Sequence, residues 1–138
     1  MSKLEVYLHF DGRCAEAIRF YETALGGKAR TVAVRDTPEA AKFPPEAQDR
    51  VMHTHLDAGG VSLMASDWMS SDPYPGMHGF SSCLTASSTA EAKSLFDKLS
   101  AGGQVLMPFQ KTFYSDGFGM FVDRFGAPWM VMSEVTTA

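Results

Sequence analysis

Apolar positions along this chain follow two rhythms, one of period two and one of period 3.6, and their order repeats. Residues 4–10 alternate and are rich in β-formers, which predicts a strand closed by Asp11-Gly12. Ala15, Ala17, Ile18, Tyr21 and Leu25 then recur at helical spacing, which predicts a helix over 14–25 stopped by Gly26-Gly27. Strands are predicted over 29–34, 51–57 and 61–67, the last two joined at Ala58-Gly59-Gly60, a hairpin signal. Between them, residues 36–48 carry Pro38, Pro44 and Pro45 and predict a loop with at most a short helix. After a polar loop over 68–78 the order begins again. A strand is predicted over 80–86. Ser88-Thr89-Ala90-Glu91 has the spacing of a capping box and opens a helix to about Ser100, with Ala92, Leu95, Phe96 and Leu99 as its stripe. Gly102-Gly103 ends it. A short strand over 104–107, an aromatic loop over 108–117 and a closing hairpin, 118–123 with 128–134, complete the half.

The repeat extends to residue identities. Ala15-Glu16-Ala17 opens the first helix and Ala90-Glu91-Ala92 the second, and both helices end in a double glycine. Asp57-Ala58-Gly59-Gly60 leads to Met64 and then Ser66-Asp67; Asp123-Arg124-Phe125-Gly126 leads to Met130 and then Ser133-Glu134. Agreement at both ends of the unit predicts a structural duplication. The expected class is α+β: two tandem βαβββ modules, 1–68 and 79–138, joined by a linker over 69–78 within one domain. Each module leaves one sheet face uncovered, so curved mixed sheets around a shared cleft are expected, a favoured setting for small-molecule pockets.

Composition narrows the partners. The chain has 138 residues, 45% of them apolar, and a formal net charge of −4 with acids and bases mixed along its length. No basic run invites nucleic acid, and no apolar stretch approaches the ~20 residues of a membrane helix. Met1-Ser2-Lys3-Leu4-Glu5 runs straight into a strand pattern and does not read as a signal peptide, so a cytoplasmic protein is expected. Cys14 and Cys83 form no Cys-x-x-Cys pair and are expected to be buried free thiols.

Residues 8–21, Leu8-His9-Phe10-Asp11-Gly12-Arg13-Cys14-Ala15-Glu16-Ala17-Ile18-Arg19-Phe20-Tyr21, with Leu25-Gly26-Gly27, resemble the opening of vicinal oxygen chelate proteins, the glyoxalase/bleomycin-resistance/dioxygenase superfamily. Val61-Ser62-Leu63-Met64-Ala65-Ser66-Asp67 and Asp123-Arg124-Phe125-Gly126-Ala127-Pro128-Trp129-Met130 are similar to its PhnB-like branch. The resemblance implies paired βαβββ modules, a homodimer, and in metal-dependent relatives four ligands on the first and last strands of each module. By alignment those positions fall at or near Val6, Met64, Phe80 and Met130; a one-residue slip would bring Tyr7 or His9 to the first of them. Val6, Met64, Phe80 and Met130 offer no hard nitrogen or oxygen donor, and methionine sulfur suits copper(I) rather than Zn²⁺, Ni²⁺, Mg²⁺ or Fe²⁺. No metal and no cofactor is therefore expected; a divalent metal is the alternative. Some PhnB-like relatives carry a methyltransferase label, but no glycine-rich strand-to-helix loop is present to cradle a nucleotide-like cofactor.

His53 and His55 stand two apart in a predicted strand, so both point to one face. They can chelate a metal if His9 or Asp67 supplies a third donor, serve as a general base, or simply be hydrogen-bonded polar residues. His9, His53 and His55 are thus the candidate catalytic residues. Asp67 and Glu134 are expected as solvated strand-end carboxylates. Trp129, with Phe121, Phe113, Tyr114 and Trp68, either lines an aromatic pocket or fills the core. The 9 methionines can line a soft, adaptable cleft or fill gaps. Tyr7, His9, His53, His55, Met64, Trp129, Phe121 and Tyr114 form the expected ligand-binding set. The function expected is metal-free binding of a small molecule by a cytoplasmic homodimer with no nucleic-acid or membrane partner. The alternatives are a metal-dependent glyoxalase-type lyase or isomerase, or a dioxygenase, using a non-standard site, and an interaction module whose cleft holds no ligand.

Overall fold

The computed structural model describes residues 1–134 and divides into two compact units, Met1–Gly76 and a second beginning at Met77. The first contains β1 (Val6–Phe10), α1 (Cys14–Leu25), β2 (Lys28–Ala33), β3 (Val51–Ala58) and β4 (Val61–Asp67). The second contains β5 (Ser82–Ala86), α2 (Thr89–Ser100), β6 (Gln104–Gln110), β7 (Phe118–Val122) and β8 (Pro128–Ser133). Each is a four-stranded mixed sheet, ordered β1-β4-β3-β2 and β5-β8-β7-β6. In both, the first strand runs parallel to the last and the other pairs are antiparallel. The two βαβββ units have the expected α+β architecture.

One face of each sheet lies under its helix. Cys14, Ala17, Ile18, Tyr21 and Ala24 of α1 are buried, as are Leu8, Phe10, Leu56, Leu63 and Ala65 of the strands. The rings of Phe10 and Tyr21 are 6.4 Å apart. In the second unit Phe96 of α2 meets Phe121 edge-on at 5.2 Å, and Phe121 stacks on Trp129 at 6.5 Å. Burying each such side chain contributes about 1.5–3 kcal/mol.

The double glycines have a shared cause. A Cβ on Gly27 would stand 2.3 Å from the Asp57 carbonyl oxygen, and one on Gly103 would stand 2.2 Å from that of Val122. The second glycine of each pair therefore lets the strand after the helix close against its neighbour. The helix starts differ. Ser88 accepts from the Glu91 N–H at 3.1 Å, while the Glu91 carboxylate turns to Ser87, so half of the expected capping box forms. No side chain of α1's own N-cap closes that helix; Asp67 on β4 does so.

Residues 36–48 form the expected loop, with short 3-10 turns at Ala40–Lys42 and Pro45–Ala47 after a first at Val34–Asp36. Other expectations are corrected. β6 runs through Pro108 to Gln110, where a loop was expected; it is an edge strand, which tolerates a missing N–H, and its pairing is irregular on either side of Met107. Residues 69–76 cluster with the first unit: Trp68 Nε1 donates to the Asp72 carbonyl at 2.8 Å and the Tyr74 hydroxyl to the His9 carbonyl at 2.6 Å. Phe80 precedes β5 and is exposed. Cys14 is buried, but Cys83 is exposed. Among the described residues no helix is long and apolar enough to cross a membrane.

Candidate functional site

Strand alternation decides which residues can meet a ligand. Leu8 and Phe10 lie under α1, so Tyr7 and His9 project from the opposite, open face of the first sheet. On β3, Thr54 and Leu56 are buried, which leaves His53 and His55 on the open face; Ser62, Met64 and Ser66 of β4 share it. Register then sets the rows. Tyr7 pairs with Met64, Met64 with His55 and His55 with Arg30, while His9 pairs with Ser66.

These side chains touch. Tyr7 lies 5.1 Å from His9 and 5.6 Å from His53, ring centre to ring centre, and its hydroxyl is 3.1 Å from His53 Nδ1. His9 Nδ1 lies 3.2 Å from the Ser66 hydroxyl, and the His9 ring meets Trp68 edge-on at 5.8 Å. Trp68 in turn meets Tyr74 at 6.0 Å. His55 Nε2 sits 2.7 Å from the Ser62 hydroxyl, which donates to Glu5. Because that proton goes to Glu5, His55 Nε2 is the donor to Ser62. The Ser62 hydrogen bond holds the Glu5 carboxyl below its ordinary range, with help from Lys3 and His55 and against a burial penalty.

Trp68 and Tyr74 continue into a concavity of about 500 Å³ within the same unit, whose walls include Phe43, Met69 and Arg50. That volume suits a drug-sized molecule. Both walls are pinned. Gln48 Nε2 donates to the Ala40 and Phe43 carbonyls, and Arg50 reaches the Trp68 carbonyl and the Asp11 carboxylate, each at 3.1 Å. Burial, and then the Asp11 charge, push the Tyr74 hydroxyl's pKa upward.

The structure thus brings together Tyr7, His9, His53, His55 and Met64. The rest of the expected set belongs to the second unit. Trp129 and Phe121 are buried under α2, and Trp129 Nε1 donates to Asp123 at 2.8 Å, so core packing is the account that describes them. Tyr114 packs on Phe113 and Phe118 in the second unit. Asp67 is not solvated: it is 2% exposed, and its oxygens accept from the Gly12, Cys14 and Val51 N–H groups at 2.8, 3.0 and 2.8 Å. That full engagement removes it as a third metal donor beside His53 and His55. Burial, then the Asp67 charge, push the Cys14 thiol up to about 12, so it is inert. Glu5, Ser62 and Ser66 had been missed. Ser62 and Ser66 were legible in the alternation around Met64; Glu5 lies outside β1 and gave no signal.

The family model for the Glyoxalase/Bleomycin resistance protein/Dioxygenase superfamily matches residues 3–131. The chain belongs to that superfamily. Within it, the chain is 33% identical to Protein YjdN of Escherichia coli (strain K12), over 93% of this chain and 92% of that protein. It is similar to the crystal structure of protein PA1353 from Pseudomonas aeruginosa, with 41% identity, a TM-score of 0.84, and 96% and 98% of the two chains covered. The fold is also that of a Bacillus cereus protein described as a putative 3-demethylubiquinone-9 3-methyltransferase, PhnB protein, with 23% identity, a TM-score of 0.74, and 96% and 99% covered.

The metal that resemblance to this superfamily implies does not fit the residues present. Val6 pairs with buried Leu63 on the helix side of its sheet, and Phe80 lies before β5; the open-face neighbours of Met64 are Tyr7 and His55, and those of Met130 are Cys83 and Met120. Each imidazole of the first sheet faces a different partner, and among the described residues no three His, Cys, Asp or Glu side chains gather to hold an ion. A hard divalent ion needs such a cluster.

Proposed function

We propose that this superfamily member binds a small, flat, weakly polar organic molecule against the open face of its first sheet, without a divalent metal. The observation that carries this reading is the run of mutually touching rings His53, Tyr7, His9, Trp68 and Tyr74, which begins on β3 and ends in the 500 Å³ concavity. Aromatic rings offer a rigid stacking surface, Met64 adds a soft contact, and the hydroxyl and imidazole edges orient a few polar atoms. The imidazole nitrogens of the three histidines also give the face hydrogen-bond donors and acceptors. The metal-dependent lyase, isomerase or dioxygenase reading has less support, because the donors are dispersed. Family membership supports extending the proposal to a cytoplasmic homodimer.

The test is a thermal-shift screen with quinones, phenolic acids, indoles and planar heterocycles, run with and without a strong chelator. At least one class should raise the melting temperature equally in both conditions, since a ligand that binds only the native state stabilises it. Tyr7→Ala and Trp68→Ala should each weaken that ligand by roughly tenfold while the protein stays folded. A panel without any shift, a shift abolished by the chelator, or unchanged affinity in both variants would each overturn the reading.

A further inference from the structure

The open face of the second sheet carries a different chemistry. Cys83 on β5 pairs with Met130 on β8, Met130 with Met120 on β7, and Met120 with Met107 on β6. Residues paired across strands share a face, so one row crosses all four strands and every member bears sulfur. Met132 stands on the same face two residues from Met130. The opposite face is filled by Phe121, Trp129 and Val131 under α2, which fixes the orientation of the row. Cys83 and Met107 are exposed, and Met120 and Met130 are half-buried, so no residue of the row is sealed in the core. Directly paired residues have Cβ atoms about 4.5–5.5 Å apart, and a methionine's three rotatable bonds let neighbouring sulfurs meet on one point.

We infer that the row Cys83–Met130–Met120, with Met107 at its end, is a binding site for a soft monovalent metal ion of the copper(I) class. Thiolate and thioether donors select copper(I), whereas harder divalent ions prefer nitrogen and oxygen, which this row lacks. Copper(I) has a filled d shell and imposes little geometry, so it accepts two or three donors from a flat strand row. The Cys83 thiol loses its proton as the Cu–S bond forms; no electron is transferred.

The test is an anaerobic titration of the untagged full chain with copper(I) in competition with bathocuproine disulfonate. One copper per chain should be withdrawn from the chelator, with thiolate-to-copper absorption in the near ultraviolet. Cys83→Ser should weaken binding by about a hundredfold and Met130→Leu or Met120→Leu by about tenfold each, in line with loss of single soft donors. Met52→Leu, off the row, should bind as the unaltered protein does. Leucine for methionine keeps core volume, so the variants fold, and circular dichroism checks this. Methyl NMR with silver(I) as a probe should shift the Met120 and Met130 methyl signals ahead of the others. Failure to compete with the chelator overturns the site. So does binding that needs Cys83 but is unaffected by both methionine changes, since the thiol alone would then be the ligand.

Discussion

The two units share a strand order, a helix packed on one face and a glycine that lets the next strand close, yet they present unlike chemistry on their open faces. Register makes the comparison position by position. Tyr7 beside Met64 corresponds to Cys83 beside Met130, so the methionine is common and the partner has changed from a ring to a thiol. Asp67 corresponds to Ser133 rather than to Glu134, since Asp67 pairs with Phe10 and Ser133 with Ala86 at the ends of the equivalent parallel pairs. Helix-facing positions answer to packing and stay alike in kind. Open-face positions are released from that demand, so duplicated halves can diverge there without loss of fold.

The largest expected effect separates the two tryptophans. Trp129→Ala should destabilise the second unit by about 3–5 kcal/mol, the cost of emptying a large buried site, whereas Trp68→Ala, half exposed, should cost under about 1.5 kcal/mol. Urea unfolding of both variants checks the difference, and near-equal losses would break the division between core and face. Next come the paired strand ends. Asp67→Ala strands three N–H groups and should cost about 3 kcal/mol, while Ser133→Ala removes a hydroxyl 3.1 Å from Ser115 and should cost about 1 kcal/mol. If Ser133→Ala proved the more damaging, the correspondence would not reflect load. The smallest effect concerns the thiols. An alkylating reagent should label Cys83 in the native protein and leave Cys14 unmodified until unfolding. The folded Cys14 thiol is held up at about 12, against 9.0 for the ordinary group, so the unfolded chain loses its proton first. Stability should therefore decline as pH rises from 9 toward 12, and Cys14→Ala should remove that part of the decline.

Much of the fold was legible because its signals are local. The alanine-led helices, their glycine stops and the hairpin at Gly59-Gly60 each announce themselves within a few residues. β6 was cut short because Pro108 argues against a central strand, and the sequence does not say that this strand lies at an edge. The site was legible only in part. That His53 and His55 share a face follows from period two, but their partners Tyr7, Ser62 and Glu5 come from other segments through register. Trp129 and Met130 had to face opposite ways, yet alternation alone does not say which side the helix covers. The same ambiguity hid the exposure of Cys83.

Asp67 ties together residues 12, 14 and 51 while itself arriving last, at the end of β4. During synthesis from the amino terminus, the opening turn of α1 thus remains provisional until some fifty further residues have left the ribosome. The cap of α1 is supplied across the sheet, by a strand that must already lie beside β1.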